Sequence, residues 1–204
     1  MSEDELLKTS EGRLWSLIEE RSKAKDPKVV DQRIWDLFGE TWAVMFTDLS
    51  GFSRQVQSFG ILHFLQIIYE HKKVLEPVVS EHDGILIKTE ADSLLIIFRR
   101  TASAMKCAVK MQQVLEVMNT GRAADVQVLL CVGIGHGPIL RIGDQDVYGQ
   151  QVNAASKLGE DTAKAREILV TKAAMESAGE IAGLRYEKLD VAVAGSDENY
   201  RLVY

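Results

Sequence analysis

Six polar side chains in this sequence stand where a chain needs a reason to place them. Asp48 closes a short apolar, β-favouring run, Ala43 to Phe46, and a Ser-Gly pair that favours a tight turn follows it. A carboxylate at a strand's mouth, followed by the backbone N–H groups of Leu49, Ser50, Gly51 and Phe52, can hold a divalent cation. The turn and the start of the next helix would then receive phosphate oxygens. The same aspartate can equally serve as a helix N-cap and nothing more. Asp92 lies at the tip of a hairpin predicted from Ile85–Thr89 and Leu94–Phe98, with Glu90-Ala91-Asp92 as its turn. Both acids interrupt apolar surroundings, where a charge is costly unless paired or metal-bound, so two converging carboxylates suggest a divalent metal. Lys88, just before the hairpin tip, and Asp146, in a polar loop before a helix, form a donor and acceptor of the kind that reads a purine edge. Asn153 and Lys157 are four residues apart, on one helix face, where an amide and a cation can bind a phosphate or ribose group. Taken singly, each has a plain alternative: a solvated strand lysine, a turn acid, a surface helix pair.

The elements that must carry these residues follow from periodicity. Residues 2–25 are predicted helical, with Ser2 as cap and Leu14, Trp15, Leu17 and Ile18 in its stripe. A second helix follows with Asp26 as N-cap and Pro27 at its first position, ending at Gly39. Trp15 and Trp35 are expected to pack on the core, with a dimer or signal-receiving helix pair as the alternative. Phe52–Phe59 reads as a short helix, and Ile61–Val79 as a long one whose first half is apolar nearly all round, which predicts burial on two sides. A helix capped by Thr101 runs to residue 119. A strand over Val126–Ile134 is expected to bend at Gly135-His136-Gly137-Pro138 and resume at Ile139–Ile142. A helix from Val152 to Thr162, a strand at Ile168–Thr171, a short helix to Ala178 and two closing strands complete the chain. Helices alternating with hairpins predict an α/β sandwich, an α+β arrangement with a mixed, mainly antiparallel sheet and flanking helices.

Composition narrows the partners. The 204 residues are 46% hydrophobic, enough for one domain with appendages, and the net charge of −6 offers neither a nucleic-acid groove nor a polybasic membrane anchor. Cys107 and Cys131 sit apart in apolar surroundings without metal-ligand spacing and read as buried thiols of a reducing compartment. With no signal-like N-terminus and no run of about 18 apolar residues, the expectation is a cytoplasmic chain without membrane insertion.

In combination the motifs are far more specific. Phe46-Thr47-Asp48-Leu49-Ser50-Gly51-Phe52-Ser53, Lys88-Thr89-Glu90-Ala91-Asp92, Gly135-His136-Gly137-Pro138 and Asp146-Val147-Tyr148-Gly149-Gln150-Gln151-Val152-Asn153, in that order, resemble the class III nucleotidyl cyclase catalytic domain. The resemblance covers residues 40–204 and leaves residues 1–39 as an N-terminal helical extension for packing, dimer contact or regulation. It implies a ferredoxin-like cyclase core and a homodimer whose active sites are each built from both chains. Asp48, Leu49 and Asp92 match metal-binding positions for two Mg²⁺ or Mn²⁺ ions, and Ser50, Gly51 and Phe52 match the substrate-facing turn. Lys88 and Asp146 match the base-selecting pair in its adenine form, Asp146 receiving the exocyclic amine, and Asn153 matches the residue that positions the ribose.

Three departures accompany the match. Lys157 stands where the family usually has arginine on the transferring phosphate, Ala91 replaces the glycine before the second aspartate, and Val191–Gly195 lacks a lysine often placed there against the terminal phosphates. The resemblance therefore implies an adenylate cyclase making cyclic AMP and pyrophosphate from ATP, with a regulatory protein or domain as a further expected partner. A cyclase-like ATP-binding module without turnover is the alternative.

Overall fold

Ala43, Val44 and Met45 expose no surface at all, so this apolar run is covered on both faces. The strand it forms, β1 (Gly39–Leu49), stands inside an eight-stranded sheet. The computed structural model describes residues 9–50 and 60–204. The other strands are β2 (Ile85–Glu90), β3 (Ser93–Phe98), β4 (Leu130–Ile142), β5 (Asp146–Tyr148), β6 (Ile168–Thr171), β7 (Arg185–Leu189) and β8 (Asn199–Val203). Their order is β2-β3-β1-β4-β6-β8-β7, with β5 paired to β4 beside that path. Among the described residues only the β4–β6 pairing is parallel, so the sheet is mixed and mainly antiparallel, as the element pattern predicts.

Helices cover both faces. Helix α3 (Ile61–Glu81) and helix α4 (Thr101–Met118) close the larger core, where Met45, Ile96, Phe98, Met105, Met111 and Ile134 are almost wholly buried. The methionines of α4 fill this core. On the other face α5 (Gln150–Ser156) lies against β4, and Trp42, Val44, Ile97, Val147 and Ala155 form a second cluster. The chain's first helices, α1 (Ser10–Lys23) and α2 (Lys28–Phe38), bury Leu14, Leu17, Val30, Ile34 and Phe38 against Ile142. Helix α6 (Lys172–Ala178) follows β6.

Several local expectations change. Residues 1–8, with Ser2, and the expected helix over residues 52–59 lie outside the described residues; Thr9 caps α1, accepting from Gly12 N at 3.0 Å. Trp15 and Trp35 do not pack on the core: they are 52% and 43% exposed, because Leu14, Leu17, Ile34 and Phe38 occupy the inward face. The first half of α3 is buried on one side only, with Ile61, Leu62, Leu65 and Tyr69 exposed. Thr101 does not cap α4; its hydroxyl pairs with Ser177 at 2.8 Å. The strand expected from Val126 begins at Leu130, after a short 3₁₀ turn at Ala124–Val126. It then runs unbroken through the Gly-His-Gly-Pro segment, which holds its register with β1 from Thr41↔Pro138 to Val44↔Gly135.

Candidate active site

The register of β1 and the shortness of the β2–β3 turn bring the two acids together. Asp48 ends β1 opposite Cys131, and Asp92 occupies a two-residue turn with Ala91, 8% exposed. Ala91 takes φ 50, so the position does require the left-handed conformation that glycine adopts freely. The carboxyl groups of Asp48 and Asp92 lie within hydrogen-bonding reach, and the Ser93 hydroxyl donates to Asp48 Oδ1 at 3.4 Å. Burial, then the charges of Asp92 and Glu160, push the Asp48 pKa up to about 6. Burial also raises that of Asp92, against hydrogen bonds that include one from the Leu49 backbone.

Glu160 is the member of this acid group that spacing did not reveal. It follows Lys157 in a π-helical turn, Lys157–Thr162, that replaces the last part of the expected helix. Nothing in a single surface-like glutamate signals that the turn points it towards two aspartates.

A buried and a partly buried carboxyl group facing each other, both with raised pKa, are held by a shared proton or by a cation. No group of three or more His, Cys, Asp or Glu converges on a metal geometry among the described residues. A pair suits Mg²⁺ or a similar hard ion, which is typically held by one or two carboxylates together with substrate phosphates. The residues present thus fit the divalent metal that the family implies.

The phosphate-facing turn is less open than expected. Ser50 N donates to Leu129 O at 2.8 Å, so this amide is engaged with the fold and is not free for a phosphate oxygen. Gly51 and Phe52 lie outside the described residues.

Lys88 Nζ and Asp146 Oδ2, 58 residues apart in sequence, form a close ion pair between β2 and β5. Asp146 holds the ammonium's pKa above its ordinary value, and Asp146 Oδ1 accepts from Val147 N at 2.9 Å. The pair lines a cleft of about 140 Å³ with Phe46, Leu95, Val147 and Val152 as apolar walls and Ser93 and Glu160 at its polar end. Apolar walls that also hold a paired donor and acceptor suit a heterocyclic base.

Asn153 sits exposed on α5, and α5 itself is pressed hard onto β4. A Cβ at Gly133 would stand 2.1 Å from Ala155 O, and one at Gly135 would stand 2.4 Å from Gln151 O. Gln151 adds three hydrogen bonds: its Oε1 accepts from His136 N at 3.3 Å and Thr171 Oγ1 at 2.9 Å, and its Nε2 donates to Gly195 O at 3.0 Å. Lys157 stands one helical turn on, its backbone N–H donating to Asn153 O. A π-helical turn begins at Lys157, and its Nζ meets Asp161 Oδ2 at 2.6 Å. In the C-terminal loop, Lys172 and Lys188 each bond Glu198 at 2.8 Å.

Known proteins share the family pattern and the fold of this chain. The model of the adenylate and guanylate cyclase catalytic domain matches residues 39–201. A protein named "Putative adenylate cyclase 3" from Rhizobium meliloti is 30% identical over 116 residues, 57% of this chain and 20% of that protein. The chain spans a fifth or less of the length of the curated relatives it matches. Among solved structures, the adenylyl cyclase CyaB from P. aeruginosa superposes with a TM-score of 0.71 at 18% identity, over 81% of this chain and 95% of that one. An adenylate/guanylate cyclase/hydrolase from Silicibacter pomeroyi gives 0.70 at 19% identity, over 81% and 98%. Structures described as guanylyl cyclases are similar as well. With most of its length matched by the family model and its sheet reproduced in those structures, the chain belongs to the class III adenylate and guanylate cyclase catalytic domain family.

Proposed function

We propose that the protein is an adenylate cyclase, converting ATP to 3′,5′-cyclic AMP and pyrophosphate in intracellular signalling, at sites shared between the two chains of a cytoplasmic homodimer. The observation that carries this reading is the Asp48–Asp92 carboxyl pair at the mouth of β1, accompanied by the Lys88–Asp146 pair in the neighbouring cleft. Asp48 and Asp92, with Leu49 between β1 and the turn, would hold two Mg²⁺ or Mn²⁺ ions. When bound, such ions polarise the ribose 3′-oxygen and neutralise the leaving pyrophosphate.

The chain's own residues supply orientation. Phe46, Leu95 and Val152 exclude water from the base, Lys88 donates to a ring nitrogen, and Asp146 accepts from the exocyclic amine. Asn153 orients the ribose from a helix that cannot slide, since Gly133 and Gly135 leave it no clearance. Lys157 offers its charge to the transferring phosphate on leaving Asp161.

A second reading, an ATP-binding module with little turnover, is favoured by one observation: Lys157 is already paired with Asp161. Purified protein incubated with ATP or GTP and Mn²⁺, with cyclic nucleotides separated by chromatography, decides between them. Cyclic AMP from the wild type, its loss of at least a hundredfold in Asp48→Ala and Asp92→Ala, and little product from GTP are expected, where "hundredfold" is about 2.7 kcal/mol of barrier. Nucleotide binding without product supports the module, and equal use of GTP removes the base assignment.

A further inference from the structure

Behind the base-reading pair lies a second cavity of about 180 Å³, whose walls include none of the metal acids. Lys88 and Asp146 form the partition between it and the cleft in front. Glu11 and Leu14 of α1 line it as well, with Ile142, Gln145 and Tyr148.

The strand register explains why α1 is there. Tyr148 pairs with Leu140 and Asp146 with Ile142, and directly opposed residues, like alternate residues on one strand, share a face of the sheet. Leu140 and Ile142 are packed against the Leu14–Leu17–Val30 cluster of α1 and α2. The face that presents Asp146 and Tyr148 is therefore the face that the N-terminal helices cover. The start of α1 also abuts the β4–β5 turn, since a Cβ on Gly143 would lie 3.7 Å from Ser10 Oγ.

A carboxylate offers about four lone-pair sites. Asp146 uses Oδ1 on Val147 N and Oδ2 on Lys88. When Lys88 turns to a ring nitrogen and Asp146 to an exocyclic amine, the carboxylate loses a partner that fixes its rotation. The phenol of Tyr148, on the same face of β5, is a donor in the rear cavity, which Gln145 also lines. Burial and the nearby Asp146 carboxylate, with the charge of Glu11 and against that of Lys88, hold the Tyr148 proton on, which leaves the phenol as a donor with two acidic neighbours. Among the described residues, Glu11 accepts a long bond, 3.4 Å, from Trp15 Nε1.

We propose that Tyr148 is a positioning residue for base recognition: its hydroxyl holds the Asp146 carboxylate in the orientation that reads an exocyclic amine, and Glu11 on α1 competes for that hydroxyl. The N-terminal helix is thereby part of purine selection. This rests on the reading of Lys88 and Asp146 as the base-selecting pair.

The test compares the wild-type chain with Tyr148→Phe, Glu11→Gln, the double variant and Asp146→Asn. Rates are measured with ATP and GTP, and direct binding with 3′-deoxy-ATP and 3′-deoxy-GTP, which lack the attacking hydroxyl. Tyr148→Phe is expected to raise the KM for ATP, and weaken binding of the ATP analogue, by roughly tenfold while moving kcat far less, because base binding is the same in ground and transition states. The preference for the adenine nucleotide falls by a similar factor, with the melting temperature unchanged. Glu11→Gln sharpens the preference severalfold, and this effect vanishes in the double variant, since both act through one hydroxyl. An unchanged preference in Tyr148→Phe, or a Glu11→Gln effect that survives loss of the hydroxyl, overturns the proposal. If Asp146→Asn abolishes the preference and Tyr148→Phe does not, only the role of Tyr148 falls. If Asp146→Asn also leaves it unchanged, or the wild type binds both analogues equally, the base-selecting reading falls and takes the role of Tyr148 with it.

Discussion

Asp48 shows how one residue links charge, stability and metal. Its carboxyl is pushed up to about 6 by burial and by the charges of Asp92 and Glu160. A group whose folded pKa lies above its unfolded value contributes stability that is complete below the unfolded value, near 3.8, and is lost as pH rises through the folded one. Metal-free protein should therefore lose stability between about pH 4 and about pH 6, and Asp48→Asn should flatten that slope. Discounted for its half-exposed position, the gain from Asp48→Asn at neutral pH is on the order of 1 kcal/mol. Thermal melts in chelator across this range check it, and a steeper slope in Asp48→Asn would sink the account. Lys157 belongs to the same scale. An ammonium is a mobile point charge, here held by Asp161, whereas a guanidinium offers a planar fork to phosphate oxygens. Lys157→Arg should raise kcat for cyclic AMP by about tenfold, about 1.4 kcal/mol, with little change in KM. Steady-state kinetics beside Lys157→Ala measure this, and no response in either variant removes Lys157 from the chemistry.

At the scale of elements, the β2–β3 hairpin carries both Lys88 and Asp92, and its tip is under backbone strain. Ala91 sits at φ 50, where an L-residue with a Cβ pays roughly 1–2 kcal/mol relative to glycine. Ala91→Gly should raise the unfolding free energy by about 1 kcal/mol, less than the full strain because glycine also has more freedom in the unfolded chain. Denaturant titration reads the gain; a loss would mean that the methyl group packs usefully. Helix α5 shows the opposite device. Glycines at 133, 135 and 195 let it meet β4 and the C-terminal loop at backbone contact, and Gln151 ties the three together. That clamp sets where Asn153 stands, whatever the side chain itself prefers.

The whole molecule places its two pairs of functional side chains on one sheet and leaves the N-terminal helices over the face that carries Asp146. If each active site draws on both chains, a chain lacking the metal acids and a chain lacking the base pair can complement each other. Mixing Asp48→Ala with Lys88→Ala should recover roughly a quarter of wild-type cyclase activity, because about half of randomly paired dimers are mixed and each holds one intact site. Co-purification through an affinity tag carried by one variant alone confirms the mixed pairing. Activity that stays at the level of the separate variants in a demonstrated mixed dimer would place all four residues in one chain's site.

The sequence by itself determined the fold class, the family and the order of strands and helices apart from β5, whose residues read as a polar loop, because periodicity and turn chemistry are local and the motif residues stand at element ends. Asp48, Asp92, Lys88 and Asp146 were legible for that reason: a charge at the edge of an apolar run is conspicuous. Tertiary structure alone decided which of them meet. The Lys88–Asp146 pair spans 58 residues and depends on β5 folding back along β4, while Glu160 reaches the aspartates through a π-helical turn that no periodicity announces. The same holds for Trp15 and Trp35, whose exposure follows from Leu17 and Ile34 winning the inward face, and for Ser50, whose amide goes to Leu129. Long-range contacts such as these are set by the packing of one element on another, and packing is a property of the assembled chain.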